Sequence, residues 1–158
     1  MVRKPVQAVS VPEPPRKTIY PAPFSAQVQG RIKRKLGEHF GLTNFGVNLT
    51  QLLPGAASAL VHHHTKQDEF IHVLEGTPTL VVGGEEFLLK PGDCYGFPAG
   101  TCLGHQLVNR SAEPATYLEI GDRTPGDLAE YPNDDLKFTQ LPDGSMSLTH
   151  KDGRPYPG

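Results

Sequence analysis

The chain contains no tryptophan and only two cysteines in 158 residues. Two thiols cannot build the dense disulfide framework of a small secreted domain. In a cytoplasmic setting Cys94 and Cys102 should be reduced, Cys94 as a small packing residue and Cys102 in a loop contact. No apolar run approaches the roughly 20 residues that a membrane-crossing helix needs. The first residues also lack the apolar centre of a signal peptide, so a cytoplasmic protein with no membrane partner is expected. Acidic and basic residues nearly balance, 17 against 15, and nothing global suggests nucleic acid. No segment has a clear helical period. No Ser-His-Asp pattern, phosphate loop or dinucleotide fingerprint is present, and the Gly83-Gly84 pair reads as a hairpin turn.

Glycine and proline are abundant, 17 and 16 residues, which suits an all-β fold rich in turns. Short strands are expected over residues 46–53, 58–64, 70–74, 79–82, 86–89, 94–97, 105–109 and 116–120, with turn residues between them. Such even spacing argues for a closed barrel or a jelly roll. Residues 124–130 are expected to make one turn of helix after Pro125. A hairpin is expected between residues 137–139 and 147–149.

The most informative feature is the triplet His62-His63-His64, followed by Glu69 and, after a Pro/Gly turn, by His105. In a strand, alternate residues share a face. His62 and His64 can therefore aim two imidazoles at one point while His63 turns away. Glu69 opens the next strand and can bring a carboxylate to the same point, and His105 begins a third. Three imidazoles and one carboxylate suit a divalent first-row metal; Zn, Fe, Mn and Ni all accept such ligation. Asp68 is a rival to Glu69, since only one of two adjacent residues can face inward. His72 has opposite parity to Glu69 and is not expected to be a ligand, and His39 and His150 are expected to be solvated. Asn109 has two readings, lining the cavity or hydrogen bonding at a strand end.

These residues carry a family resemblance. Gly55, His62, His64, Glu69 and Gly76 match one motif, and Gly92, Pro98, Gly100, His105 and Asn109 match a second. Together they resemble the two motifs of the cupin superfamily, small double-stranded β-helix (jelly-roll) barrels. The spacings from Gly55 to His62 and from Gly100 to His105 are longer than the common pattern by one and two residues, in turns that tolerate insertion. The likeness extends over roughly residues 40–121. It favours Glu69 over Asp68, and it implies a metal held by His62, His64, Glu69 and His105, and a homodimer.

The chain divides into a Pro-rich arm (1–24), the barrel (25–123) and a C-terminal extension (124–158) packing on the barrel or on a partner. The arm has no core-forming pattern. The basic run Arg31-Ile32-Lys33-Arg34-Lys35 reads as a solvated edge strand. The expected function is a small metalloenzyme acting on a small, polar organic molecule. Dioxygenase, isomerase and lyase chemistry all stay open, as does a non-catalytic binding barrel with a structural or ligand-holding metal. Glu69, as a ligand, is a poor free base. Tyr95 and Cys102, flanking the second motif, are candidates for a proton carrier.

Overall fold

Alternating side chains and glycine turns fold the described residues into twelve short strands. The computed structural model describes residues 2–141 and 143–157. The strands are β1 (Arg31–Lys35), β2 (Phe45–Leu52), β3 (His63–His64), β4 (Glu69–Glu75), β5 (Thr79–Val82) and β6 (Glu85–Leu88). They continue as β7 (Cys94–Phe97), β8 (His105–Val108), β9 (Ala115–Asp122), β10 (Leu128–Glu130), β11 (Lys137–Gln140) and β12 (Met146–Thr149). Among the described residues no helix is long and apolar enough to cross a membrane.

Three antiparallel sheets result, ordered β1-β2-β9-β4-β7, β12-β11-β10-β3 and β6-β5-β8. They do not join into one closed barrel; the jelly-roll form of the expectation holds. The β5–β6 hairpin turns at Gly83 and Gly84, with φ of +59° and +87°. Two consecutive positive φ angles match the twist of the flanking strands, and glycine adopts them without penalty.

Residues 58–64 are not one continuous strand. Only His63 and His64 pair in β3, and His62 makes an isolated bridge to His105. The cause is local: the Ser58 hydroxyl accepts the Leu107 N–H at 2.9 Å, standing in for a ladder carbonyl. Residues 124–130 form no helix either. Leu128–Glu130 pairs with β3 on one side and β11 on the other, and this tertiary pairing outweighs local preference. A helix that periodicity missed, α1 (Leu36–Phe40), is five residues long and ends at Gly41 in the left-handed region, φ +75°. It is too short to display a period. The expected hairpin near the C-terminus forms between β11 and β12; Pro142, part of its proposed turn, lies outside the described residues.

Two apolar clusters form. One fills the jelly roll with Leu52, Val73, Leu80, Leu107 and Tyr117 among others. The second joins Tyr20, Phe24 and Val28, from the arm and the segment after it, to Leu60, Tyr131 and Leu136. The arm therefore does contribute to a core. Val11 is also buried, and Arg34 donates to its carbonyl at 2.7 Å.

Candidate metal centre and cavity

The strands bring four side chains to one point. His105 heads β8, Glu69 heads β4, and His64 ends β3 beside the His62 bridge. Around Glu69 Oε2 stand three imidazole Nε2 atoms: His105 at 3.0 Å, His64 at 3.5 Å and His62 at 3.6 Å. Donor atoms of His62, Glu69 and His105 all lie within 4.8 Å of one another, so these three are positioned to hold a metal ion. His64 approaches the same carboxylate oxygen from the side of β3.

Each imidazole is turned by a partner on its other nitrogen. His62 Nδ1 lies 2.8 Å from the Leu60 carbonyl, His105 Nδ1 3.4 Å from the Leu103 carbonyl, and His64 Nδ1 2.5 Å from Asp127 Oδ2. An acceptor on Nδ1 fixes the proton there and leaves the Nε2 lone pair free for a cation. Asp127 is fully buried, and its other oxygen accepts the Lys66 N–H at 2.8 Å and the Gln67 N–H at 3.2 Å. The rings are also fixed by stacking: His105 on Phe97 at 3.7 Å between centroids, and His62 on Tyr131 at 5.9 Å. Gly104 allows the chain to reach His105, since a Cβ there would meet Val61 Cγ1 at 2.8 Å.

Electrostatics follow from this crowding. Burial pushes the Glu69 carboxyl up, but hydrogen bonds from His105 and His62 and the charges of His62 and His64 outweigh it and hold it well below the carboxylate range. For His62, burial pushes the imidazole down, and Glu69 overcomes this and raises it. Burial depresses His105. With Nε2 of each ring unprotonated, this carboxylate and the three imidazoles form the donor set of a divalent cation.

The remaining residues singled out from sequence lie elsewhere. His63 turns away from the centre toward Glu130, 3.5 Å off. Asp68 accepts the Ala99 N–H at 2.7 Å, outside the cluster. Asn109 is fully buried at its strand end, where it donates to the Leu52 and Glu113 carbonyls. His150 is not free in solvent: it stacks on Tyr156 and bonds Asp135 at 2.7 Å. Cys94 is exposed rather than packed. Cys102 is exposed in a loop at φ +58°, its thiol directed to the Gly100 carbonyl.

The centre opens into a cavity of about 290 Å³ lined by all three sheets and by the arm. Neither Tyr95 nor Cys102 lines it. The basic run is an edge strand, but it is not simply solvated: Arg31, Lys33 and Lys35 share the inner face of β1 and line the cavity, joined by Arg16 and Lys17 of the arm. Lys33 Nζ sits 2.6 Å from Glu119 Oε1. The same alternation that was applied to the histidines would have put these three cations on one face. Asp127 and Tyr131, both far along the chain, gave no such signal.

A cupin-domain model matches residues 48–121. A solved structure from Silicibacter pomeroyi, described as a sugar phosphate isomerase from a cupin superfamily, is 45% identical, with 89% of each chain covered and a TM-score of 0.82. A protein from Acidithiobacillus ferrooxidans, proposed to be a sugar phosphate isomerase, is 26% identical over 89% of this chain and 96% of its own, TM-score 0.71. The polyketide cyclase RemF of Streptomyces resistomycificus, 21% identical over 77% of this chain and 80% of its own, TM-score 0.61, shares the fold. No curated protein matches the chain. A jelly roll, both sequence motifs and a close relative over nearly the whole length lead to one conclusion: the chain belongs to the cupin superfamily.

Proposed function

We propose that the protein is a metal-dependent isomerase of small phosphorylated sugars, with His62, His64, Glu69 and His105 as the ligands. The observation that carries this reading is the cavity itself. One end presents three imidazoles and a carboxylate; the wall beside it presents Arg31, Lys33 and Lys35, with Arg16 and Lys17 from the arm. Lys33, Lys35 and Lys17 are paired with Glu119, Glu38 and Glu13, while Arg31 and Arg16 have no carboxylate partner among the described residues. The surplus positive charge suits an anionic group, and guanidinium and ammonium groups are the usual phosphate partners. The relative from Silicibacter pomeroyi, alike over 89% of both chains, is described as acting on this class of molecule.

The donor set fits a divalent first-row ion, whose service when bound is to polarise the substrate's carbonyl or hydroxyl oxygens. The chain's own residues do the rest. Asp127, Leu60 and Leu103 hold the imidazoles in register, the cationic wall anchors the charged end, and Phe97 and Tyr131 exclude water from the floor.

Elemental analysis of untagged protein tests the first half of the proposal, with His62→Ala/His64→Ala beside it. About one metal per chain, lost in the variant, is expected; none in either protein after reconstitution overturns it. Interconversion of aldose and ketose phosphates by the loaded protein tests the second half.

We further propose a homodimer built on the outer face of the five-stranded sheet. Phe45 and Phe70 are 43% and 38% exposed there, beside half-buried Val47 and Ile120. Light scattering should give twice the chain mass, and Phe70→Asp should halve it; a wild-type monomer ends this reading.

A further inference from the structure

Isomerisation of a sugar phosphate through an enediolate needs a group that takes a proton from one carbon and returns it to its neighbour. Two acidic side chains line the cavity, Glu69 and Glu119. Glu69 is committed to the metal centre as a proposed ligand, its Oε2 already surrounded by three imidazoles. Glu119 is the remaining carboxylate. It projects from β9, where it pairs with Ile71 of β4, while Glu69 pairs with Gly121. The two carboxylates are thus diagonal neighbours on the inner face, a relation that sets residues ~7–8 Å apart. That spacing leaves room for one small substrate to touch the metal centre and Glu119 together.

The surroundings of Glu119 are built to aim it. Oε1 receives Lys33 Nζ at 2.6 Å and Asn48 Nδ2 at 3.2 Å, while Oε2 has only a long contact of 3.5 Å from the Tyr117 hydroxyl. One oxygen is therefore anchored and the other is available. The side chain is 19% exposed, and that exposure is toward the cavity. Burial and the neighbouring Glu119 charge hold Tyr117 in its neutral form, so it can donate and does not compete as a base.

We propose that Glu119 is the catalytic residue that carries the proton between the two reacting carbons, with Lys33 and Asn48 as its positioning residues. The assignment rests on the isomerase reading above. The step balances without an oxidant. The Glu119 carboxylate takes the proton from the hydroxyl-bearing carbon next to the carbonyl. The released C–H pair forms the carbon–carbon double bond of an enediolate, and the carbonyl π pair moves onto its oxygen. Return of the proton to the former carbonyl carbon, with transfer of the hydroxyl proton to the other oxygen, gives the isomer.

Proton NMR in D2O of the metal-loaded protein with a panel of pentose and hexose phosphates tests this. Wild type should interconvert at least one aldose–ketose pair and place solvent deuterium on the reacting carbon. Glu119→Gln should lower kcat and exchange by about 10²-fold or more while KM changes less than about threefold. Its metal content and melting temperature should stay those of the wild type, and Glu119→Asp should recover part of the rate. Glu119→Gln turning over and exchanging within about threefold of wild type overturns the assignment and leaves the isomerase reading standing. A wild type inert on the whole panel overturns the isomerase reading and the assignment with it. If Glu119→Gln fails to fold, Glu119→Asp decides: unchanged kcat and exchange overturn the assignment.

Discussion

The jelly-roll core and the cluster formed by the arm and the C-terminal extension differ in how they are made. The first draws on β2, β4, β5 and β8–β9, strands whose alternating apolar residues already point inward. The second draws on Tyr20 and Phe24 at one end of the chain and Tyr131 and Leu136 at the other, with Leu60 between them. The metal centre lies on the seam: His105 stacks on Phe97 of the first cluster, and His62 on Tyr131 of the second. The terminal segments are therefore walls of the site, and the jelly roll, which supplies all four ligands, does not enclose it alone.

Matched truncations would break this comparison most forcefully. Leu52→Ala and Leu136→Ala, both fully buried, should each destabilise by about 2–5 kcal/mol in denaturant titration. Leu136→Ala should also weaken metal binding, because Tyr131 loses its backing. Destabilisation below about 1 kcal/mol with unaltered metal binding would reduce the second cluster to an appendage.

Asp127→Asn comes next. An amide can turn its NH2 toward His64 Nδ1 and force the proton onto Nε2, where the cation should sit. Metal affinity should fall about 10–100-fold by competition with a chelating dye, while the fold persists. Unchanged affinity would sever the extension from the site.

The smallest effect is a pH trend in chelated protein. The imidazoles hold Glu69 well below the carboxylate range despite its burial. A depressed carboxyl adds stability that is present above its unfolded pKa and is lost as pH falls through the folded one. The melting temperature should decline on acidification below about pH 4.5, and Glu69→Gln should flatten the decline, a difference on the order of 1 kcal/mol. Parallel profiles would place the acid-sensitive group elsewhere.

Most strands and the shared face of His62 and His64 were legible because they rest on period two, and the Gly83-Gly84 turn is local; the choice of Glu69 over Asp68, and with it the full quartet, came with the family motifs. Residues 124–130 were misjudged because a long-range ladder, β10 between β3 and β11, decides their conformation. Asp127 was invisible for a related reason. It meets His64 across 63 positions of chain, and an isolated aspartate in a Pro/Gly turn looks like turn chemistry. The inward row of β1 was readable in principle; what hid it was that cations on an edge strand usually face water. Glu119 needed the β4–β9 register, which no single segment specifies.

The main-chain bridge between His62 and His105 joins two sheets with one bond in each direction, 3.2 and 2.8 Å. Those bonds belong to the peptide units and persist whatever side chains the two positions bear. A descendant that lost both imidazoles would forfeit its chemistry and keep its stitch, so in this architecture the scaffold can outlive the reaction and stay available for another.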